Sequence, residues 1–201
     1  MIRVLLAEDQ AMFREAIASL LSLEDDIEVV AAMGRGDEVL GAAQRLNPDV
    51  ALLDIEMPGM NGLEALAELR AGLPDCRVLI VTTFGRVGYL RRAMAGGATG
   101  FLLKDAPIRE LAAAIRRAVA GERTVDPGLA AAALSEADSP LTPREQEVLE
   151  CARRSATIAE MAAALYLSPG TTRNHLSTIM QKLGARNRAE AVRMAEEKGW
   201  I

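Results

Sequence analysis

Histidine is almost missing from this sequence: His175 is the only one in 201 residues. A metal or catalytic site built from histidines is therefore not expected. Cysteine is nearly as scarce, and Cys76 and Cys151 stand far apart at no metal-binding or redox spacing. Two such thiols fit a reducing cytoplasm and speak against a disulfide framework. No uninterrupted apolar run approaches the ~20 residues of a membrane span. The opening run from Ile2 to Ala7 is too short for a signal peptide and ends on Glu8-Asp9. No internal repeat or low-complexity tract is present. What remains is ordinary for a cytoplasmic globular protein with no membrane partner: half the residues are apolar and a quarter charged. The length suits one large domain or two small ones.

The net charge of −5 is unevenly spread. Residues 1–121 hold 13 basic and 17 acidic side chains, residues 122–138 one and four, and residues 139–201 nine and seven. No acid occurs between Glu160 and Glu190, whereas Arg173, Lys182, Arg186 and Arg188 do. An acidic body joined to a locally basic tail implies two modules, the second facing a polyanion.

Apolar runs at residues 2–7, 27–32, 50–53, 77–81 and 99–103 read as buried strands. Helical patterns at about 10–21, 36–46, 63–71, 86–95 and 107–121 follow them in strict alternation. That order predicts a doubly wound, five-stranded parallel sheet of flavodoxin-like α/β type over residues 1–121. Residues 122–139, acidic and rich in Ala, Ser and Pro, read as a linker with a short helix through Leu129–Leu134. Beyond it the strand signal vanishes. Thr142-Pro143-Arg144-Glu145 and Thr157-Ile158-Ala159-Glu160 have capping-box spacing, and Ser168-Pro169 opens a third helix. A fourth runs from about Asn187 to Lys198, so residues 140–201 form a small all-α domain of four helices.

Four polar sites fall at strand C-terminal ends: Glu8-Asp9, Asp54, Thr82 and Lys104. In a parallel sheet those ends share one rim, where ligands bind. Three crowded carboxylates repel one another and suit a divalent metal, and hard oxygen donors favour Mg²⁺. Lys104 adds a point charge, Thr82 a hydroxyl, and a carboxylate serves as nucleophile in phosphoryl transfer. Each residue singly has a plainer role, since Glu8-Asp9 and Asp54 could cap helices, Thr82 favours strands and Lys104 suits a solvated helix start.

Taken together, these motifs resemble the receiver domain of two-component response regulators along the whole of residues 1–121. The resemblance implies that Asp54 accepts a phosphoryl group from a sensor histidine kinase. It implies Glu8, Asp9, Asp54 and the backbone carbonyl of Glu56 as Mg²⁺ ligands, and Thr82 and Lys104 as phosphoryl contacts. Thr82 and Phe101 would form the switch, although Phe101 also reads as an ordinary buried aromatic. Proline often follows the lysine in this family. Here Asp105 follows, and because a cis bond to a non-proline residue costs about 3 kcal/mol, a trans bond is expected.

In the tail, Thr172, Leu176, Ile179 and Leu183 recur at helical spacing as one buried stripe. Arg173, Asn174, Ser177, Thr178 and Gln181 lie opposite, a pattern that suits the DNA major groove or simply a solvated face. Leu141–Leu149, Glu160-Met161-Ala162, Thr171–His175, Lys182-Leu183 and Asn187–Ala191 resemble the LuxR/NarL (FixJ) helix-turn-helix. The resemblance implies a recognition helix over Ser168–Leu183, with Arg173, Asn174 and Ser177 near bases of double-stranded DNA. Thr171 and Lys182 would meet phosphates. Thr172 stands where the family has valine, so a hydroxyl near the core should cost some stability.

The combined expectation is a cytoplasmic transcription regulator, not an enzyme, that homodimerises on phosphorylation. The candidate dimer surface is the first and fifth helices, through Met12, Ile108, Leu111, Ala112 and Ile115, with Val192 and Met194 in the last helix. Stretches such as AEDQ, LLSLEDDIEVV and PDVALLDIEMPG further resemble a subfamily that governs membrane-lipid desaturation. Two alternatives are an atypical regulator that binds DNA without phosphorylation and a phosphatase or phosphotransferase using Asp54 and Glu56.

Overall fold

The computed structural model describes residues 1–83, 85–135, 139–155 and 157–201. Residues 136–138 of the expected linker lie outside the described residues. The chain divides into two compact units, Met1–Gly85 with Leu90–Ala131 and Arg86–Tyr89 with Ala132–Ile201.

Along the chain, strands β1 (Ile2–Ala7), β2 (Ile27–Met33), β3 (Val50–Leu53), β4 (Arg77–Thr82) and β5 (Gly100–Leu103) alternate with helices. These are α1 (Ala11–Leu21), α2 (Val39–Leu46), α3 (Gly62–Gly72), α4 (Val87–Ala95) and α5 (Ile108–Val119). Neighbouring strands pair in parallel in the order β2-β1-β3-β4-β5, so the winding reverses between β1 and β3. Side chains alternate across each strand. Val4, Leu6, Val50, Leu52, Leu79 and Val81 accordingly share one face, packed with Ile17, Leu21, Leu111, Ala112 and Ile115 of α1 and α5. Leu5, Ala51, Leu53, Val78 and Ile80 point the other way and are equally buried, on the side where α2 and α3 bury Val39, Ala43, Leu66 and Leu69.

Among the described residues the expected five strands become six. Thr124–Val125, read as linker, form a strand β6 parallel to Gly100–Phe101 on the open edge of β5, and the Asp126 amide donates to the Phe101 carbonyl at 3.3 Å. Two residues are too few to show a period of two, so only backbone pairing reveals this strand. Helix α6 (Pro127–Ser135) follows and starts before the expected Leu129, because the Asp126 side chain accepts from the Leu129 amide at 2.9 Å.

The second unit contains α7 (Pro143–Arg154), α8 (Ile158–Ala164), α9 (Pro169–Leu183) and α10 (Arg188–Lys198). Both expected capping boxes form: Thr142 with Glu145, and Thr157 with Glu160. Ser168 caps α9 through the Thr171 amide, and Asn187 caps α10 through the Glu190 amide. Gly184 and Gly199 end α9 and α10 with φ of 66° and 67°, a left-handed turn that a Cβ would strain. Val148, Leu149, Met161, Leu176, Ile179 and Ala191 form the core. The Thr172 hydroxyl is buried but donates to the Ser168 carbonyl at 3.0 Å, which offsets much of the cost of placing it there.

Candidate phosphoacceptor pocket and recognition helix

Parallel register carries four distant residues to one rim. Ala7 lies beside Leu53, so Glu8 and Asp54 leave adjacent strands together, and the Asp54 amide donates to the Ala7 carbonyl at 2.9 Å. Thr82 pairs with Leu103 on the other side, and the Lys104 amide donates to the Thr82 carbonyl at 2.9 Å. The Lys104 ammonium bridges two carboxylates, 2.7 Å from Glu8 Oε2 and 2.9 Å from Asp54 Oδ2. Glu8, Asp54 and Thr82 are 2%, 4% and 0% exposed, whereas Asp9 opens to solvent. Buried charge of this kind persists only when paired.

Burial pushes the Glu8 carboxyl above its ordinary pKa, although hydrogen bonds from Lys104 and the Gln10 amide pull the other way. Burial alone would lower Lys104, but its bonds to Glu8 and Asp54 prevail and hold the ammonium above its usual value. The lysine therefore stays charged. The Phe13 ring, 4.9 Å from its nitrogen, adds a cation–π contact. The other Asp54 oxygen accepts from the Ile55 amide at 2.7 Å.

One ligand oxygen each from Glu8, Asp9 and Asp54 lies within 4.8 Å of the others. Three carboxylates face one ammonium, so a divalent cation bound by hard oxygens fits the charge and the donor set. Glu56 is exposed just beyond this cluster. Phe101 is wholly buried on β5, three residues before Lys104. The Lys104–Asp105 bond is trans, as its cost implies. No sequence spacing points to the contact of Phe13 with Lys104, because nothing local links residues 91 apart.

In the second unit, Thr172, Leu176, Ile179 and Leu183 are the buried face of α9. Thr171, Arg173, Asn174, Ser177 and Lys182 are exposed, and His175 is half-buried. They are not equivalent. Among the described residues Arg173 forms no ion pair, whereas the Lys182 ammonium lies 2.7 Å from the buried carboxylate of Glu145. That oxygen also accepts from the Thr142 amide at 2.7 Å, so one carboxylate closes the α7 cap and ties α9 to it. The Thr171 hydroxyl meets the Ser168 hydroxyl at 2.9 Å.

The Lys182 hydrogen bond holds the Glu145 carboxyl below its ordinary pKa, with the Thr142 amide adding to the effect. A carboxyl depressed in the folded state adds stability above its unfolded pKa of roughly 4.3 and loses it as pH falls through the folded value. The stability advantage of wild type over Glu145→Gln should accordingly shrink as pH drops below about 4.3. Thermal unfolding of the second unit measures it; a difference constant from pH 7 to pH 3 would refute the assignment.

A strand-end acidic pocket on a doubly wound sheet, followed by a helix-turn-helix unit, defines a class, and sequence comparison agrees. The response regulator receiver domain profile matches residues 4–116, and that of bacterial regulatory proteins, luxR family, matches residues 139–195. The chain therefore belongs to the LuxR-type response regulators, DNA-binding transcription regulators rather than enzymes. Across the full length of both chains it is 48% identical to the uncharacterized transcriptional regulatory protein YvfU of Bacillus subtilis and 46% identical to the transcriptional regulatory protein DesR of the same organism. Among solved structures it resembles the response regulator ChrA of a heme-sensing two-component system, at 34% identity and a TM-score of 0.59, covering 100% of this chain and 98% of that one. A structure of two RcsB dimers bound to two parallel DNAs shares the fold, with a TM-score of 0.70 at 20% identity over 98% of each chain.

Proposed function

We propose that this chain is a phosphorylation-controlled regulator whose Asp54 takes a phosphoryl group from a sensor histidine kinase. The observation that carries this reading is the meeting of Glu8, Asp54, Thr82 and Lys104 from four strand ends, with Lys104 within 2.9 Å of both buried carboxylates. An Asp54 carboxylate oxygen attacks phosphorus, a P–O bond forms, and the bond from phosphorus to the donor breaks with its electron pair leaving on the donor. Lys104 and the Thr82 hydroxyl hold the transferred oxygens, and buried surroundings strengthen both contacts. Mg²⁺, held by Glu8, Asp9, Asp54 and the Glu56 carbonyl, would neutralise phosphoryl charge when bound. The residue roles follow a domain plan of a receiver at 1–121, to whose sheet β6 of the expected 122–139 linker adds an edge strand, and a DNA-binding unit at 140–201.

Thr82 and Phe101 are the proposed switch, since both are buried on adjacent strands, Thr82 at the end of β4 and Phe101 two residues before the end of β5. In the recognition helix we assign Arg173, Asn174 and Ser177 to bases and Thr171 to phosphate. Lys182 would reach phosphate only in competition with Glu145. Dimerisation on phosphorylation supplies the remaining affinity through effective concentration. Three of the residues expected to form its surface are taken, since Leu111, Ala112 and Ile115 are core residues facing the sheet. What α1 and α5 leave outside is Met12, 85% exposed, with Leu20 and Ile108 beside an apolar cleft of about 190 Å³. The proposed DNA and kinase partners support a cytoplasmic protein.

Gel shift on promoter DNA, with and without acetyl phosphate and Mg²⁺, tests the reading beside Asp54→Ala. Binding should tighten about tenfold or more on phosphorylation, as tethering two half-sites commonly gives, and only in the wild type. Equal binding in all lanes would instead favour the phosphorylation-independent regulator. The subfamily resemblance supports membrane-lipid genes as targets, and on that reading a desaturase-gene promoter should bind ahead of unrelated DNA.

A further inference from the structure

The acidic loop between β1 and α1 is held by an arginine that local preference would not place there. Gln10 gives α1 no side-chain cap, and no acid lies in the first turn. Instead Arg14 closes that turn, where the helix macrodipole disfavours a cation. Its guanidinium turns back: Nη1 donates to the Glu8 carbonyl at 2.5 Å and to the Asp9 carbonyl at 3.3 Å. The neighbouring strand leaves room for it. Glu8 is fixed to β2 by its amide, which donates to the Met33 carbonyl, and the next residue is Gly34. A Cβ at Gly34 would stand 3.1 Å from Arg14 Nη1 and 3.8 Å from the Glu8 carbonyl oxygen.

We propose that Arg14 is a positioning residue for divalent-cation binding. It clamps the Glu8 and Asp9 carbonyls, each directly after the Cα from which a ligand side chain branches, so the pair meets Asp54 already oriented. The inference rests on the metal reading of the acidic pocket and adds a residue outside the ligand set. Removing a group that orients ligands commonly costs 10–100-fold in metal affinity.

The test is calorimetric titration of the full chain with Mg²⁺ alone, in the absence of any phosphodonor. Arg14→Ala should weaken binding by about tenfold or more, with a metal-free thermal midpoint close to wild type. Arg14→Gln keeps a donor without the charge and Arg14→Lys the charge without the fork, so both should fall between wild type and alanine. Wild-type affinity in all three variants would overturn the inference while leaving the pocket intact. No Mg²⁺ binding by wild type would overturn the metal reading itself, and this inference with it. If Arg14→Ala fails to fold, the glutamine and lysine variants decide: undiminished affinity in both would refute the clamp.

Discussion

Full-length Asp54→Ala, incubated with acetyl phosphate and Mg²⁺, should gain no phosphate by intact-protein mass, whereas the wild type should gain one. Of the three carboxylates in the pocket, Asp54 alone combines contacts through both oxygens with a place beside Thr82. Asp54 is the carboxylate bonded to Lys104 through one oxygen and fixed by the Ile55 amide through the other, on the strand next to the one that ends at Thr82. Glu8 also meets Lys104, but it belongs to β1, with β3 between it and Thr82. Asp9 is open to solvent and makes no bond to Lys104. A companion variant, Lys104→Ala, keeps the nucleophile and removes the cation aimed at the transferred group. Phosphate uptake there should slow by about 10²–10³, the usual cost of deleting one preorganised electrostatic contact. Phosphorylated Asp54→Ala, with the site mapped to Glu8 or Asp9, would show that the geometry has been misassigned.

Arg173→Ala should lose about 10- to 100-fold in affinity for the operator, the ~1–3 kcal/mol carried by a good base contact. Arg173 is exposed on the solvent face of α9, with no ion pair among the described residues to surrender before meeting DNA. Affinity for unrelated DNA should change little. Lys182→Ala is the contrasting variant. It strands the buried Glu145 carboxylate that also caps α7, so the domain should lose thermal stability before it loses specificity. Measuring both variants across a salt series separates the roles, because a phosphate contact lowers the salt slope while a base contact alters preference among sequences. An Arg173→Ala protein that binds operator and unrelated DNA as wild type does would remove α9 as the reading element.

Much of this was legible in order. Five buried runs alternating with helical patterns fix a parallel sheet, and polar residues at their ends must then share a rim. The capping boxes at Thr142 and Thr157 form as their spacing implies, because a cap depends on residues three apart. Helix α5 shows where such reading stops. Ile108, Leu111, Ala112 and Ile115 are apolar at helical spacing, and the pattern alone does not say whether a partner molecule or the sheet covers them. The sheet covers the last three.

From the sequence alone came the two-module plan, the strand ends on which Asp54, Thr82 and Lys104 sit, and the buried stripe of α9, since periodicity and chain order are local properties. Only the tertiary structure decided that β6 extends the sheet, that Phe13 and Glu8 flank Lys104, that Glu145 claims Lys182, and that Arg14 grips the acidic loop. All but the last are contacts between distant residues, set by how strands pair and helices pack, which no spacing along the chain encodes; Arg14 is near its carbonyls in sequence, but only the path from β1 into α1 turns it back onto them.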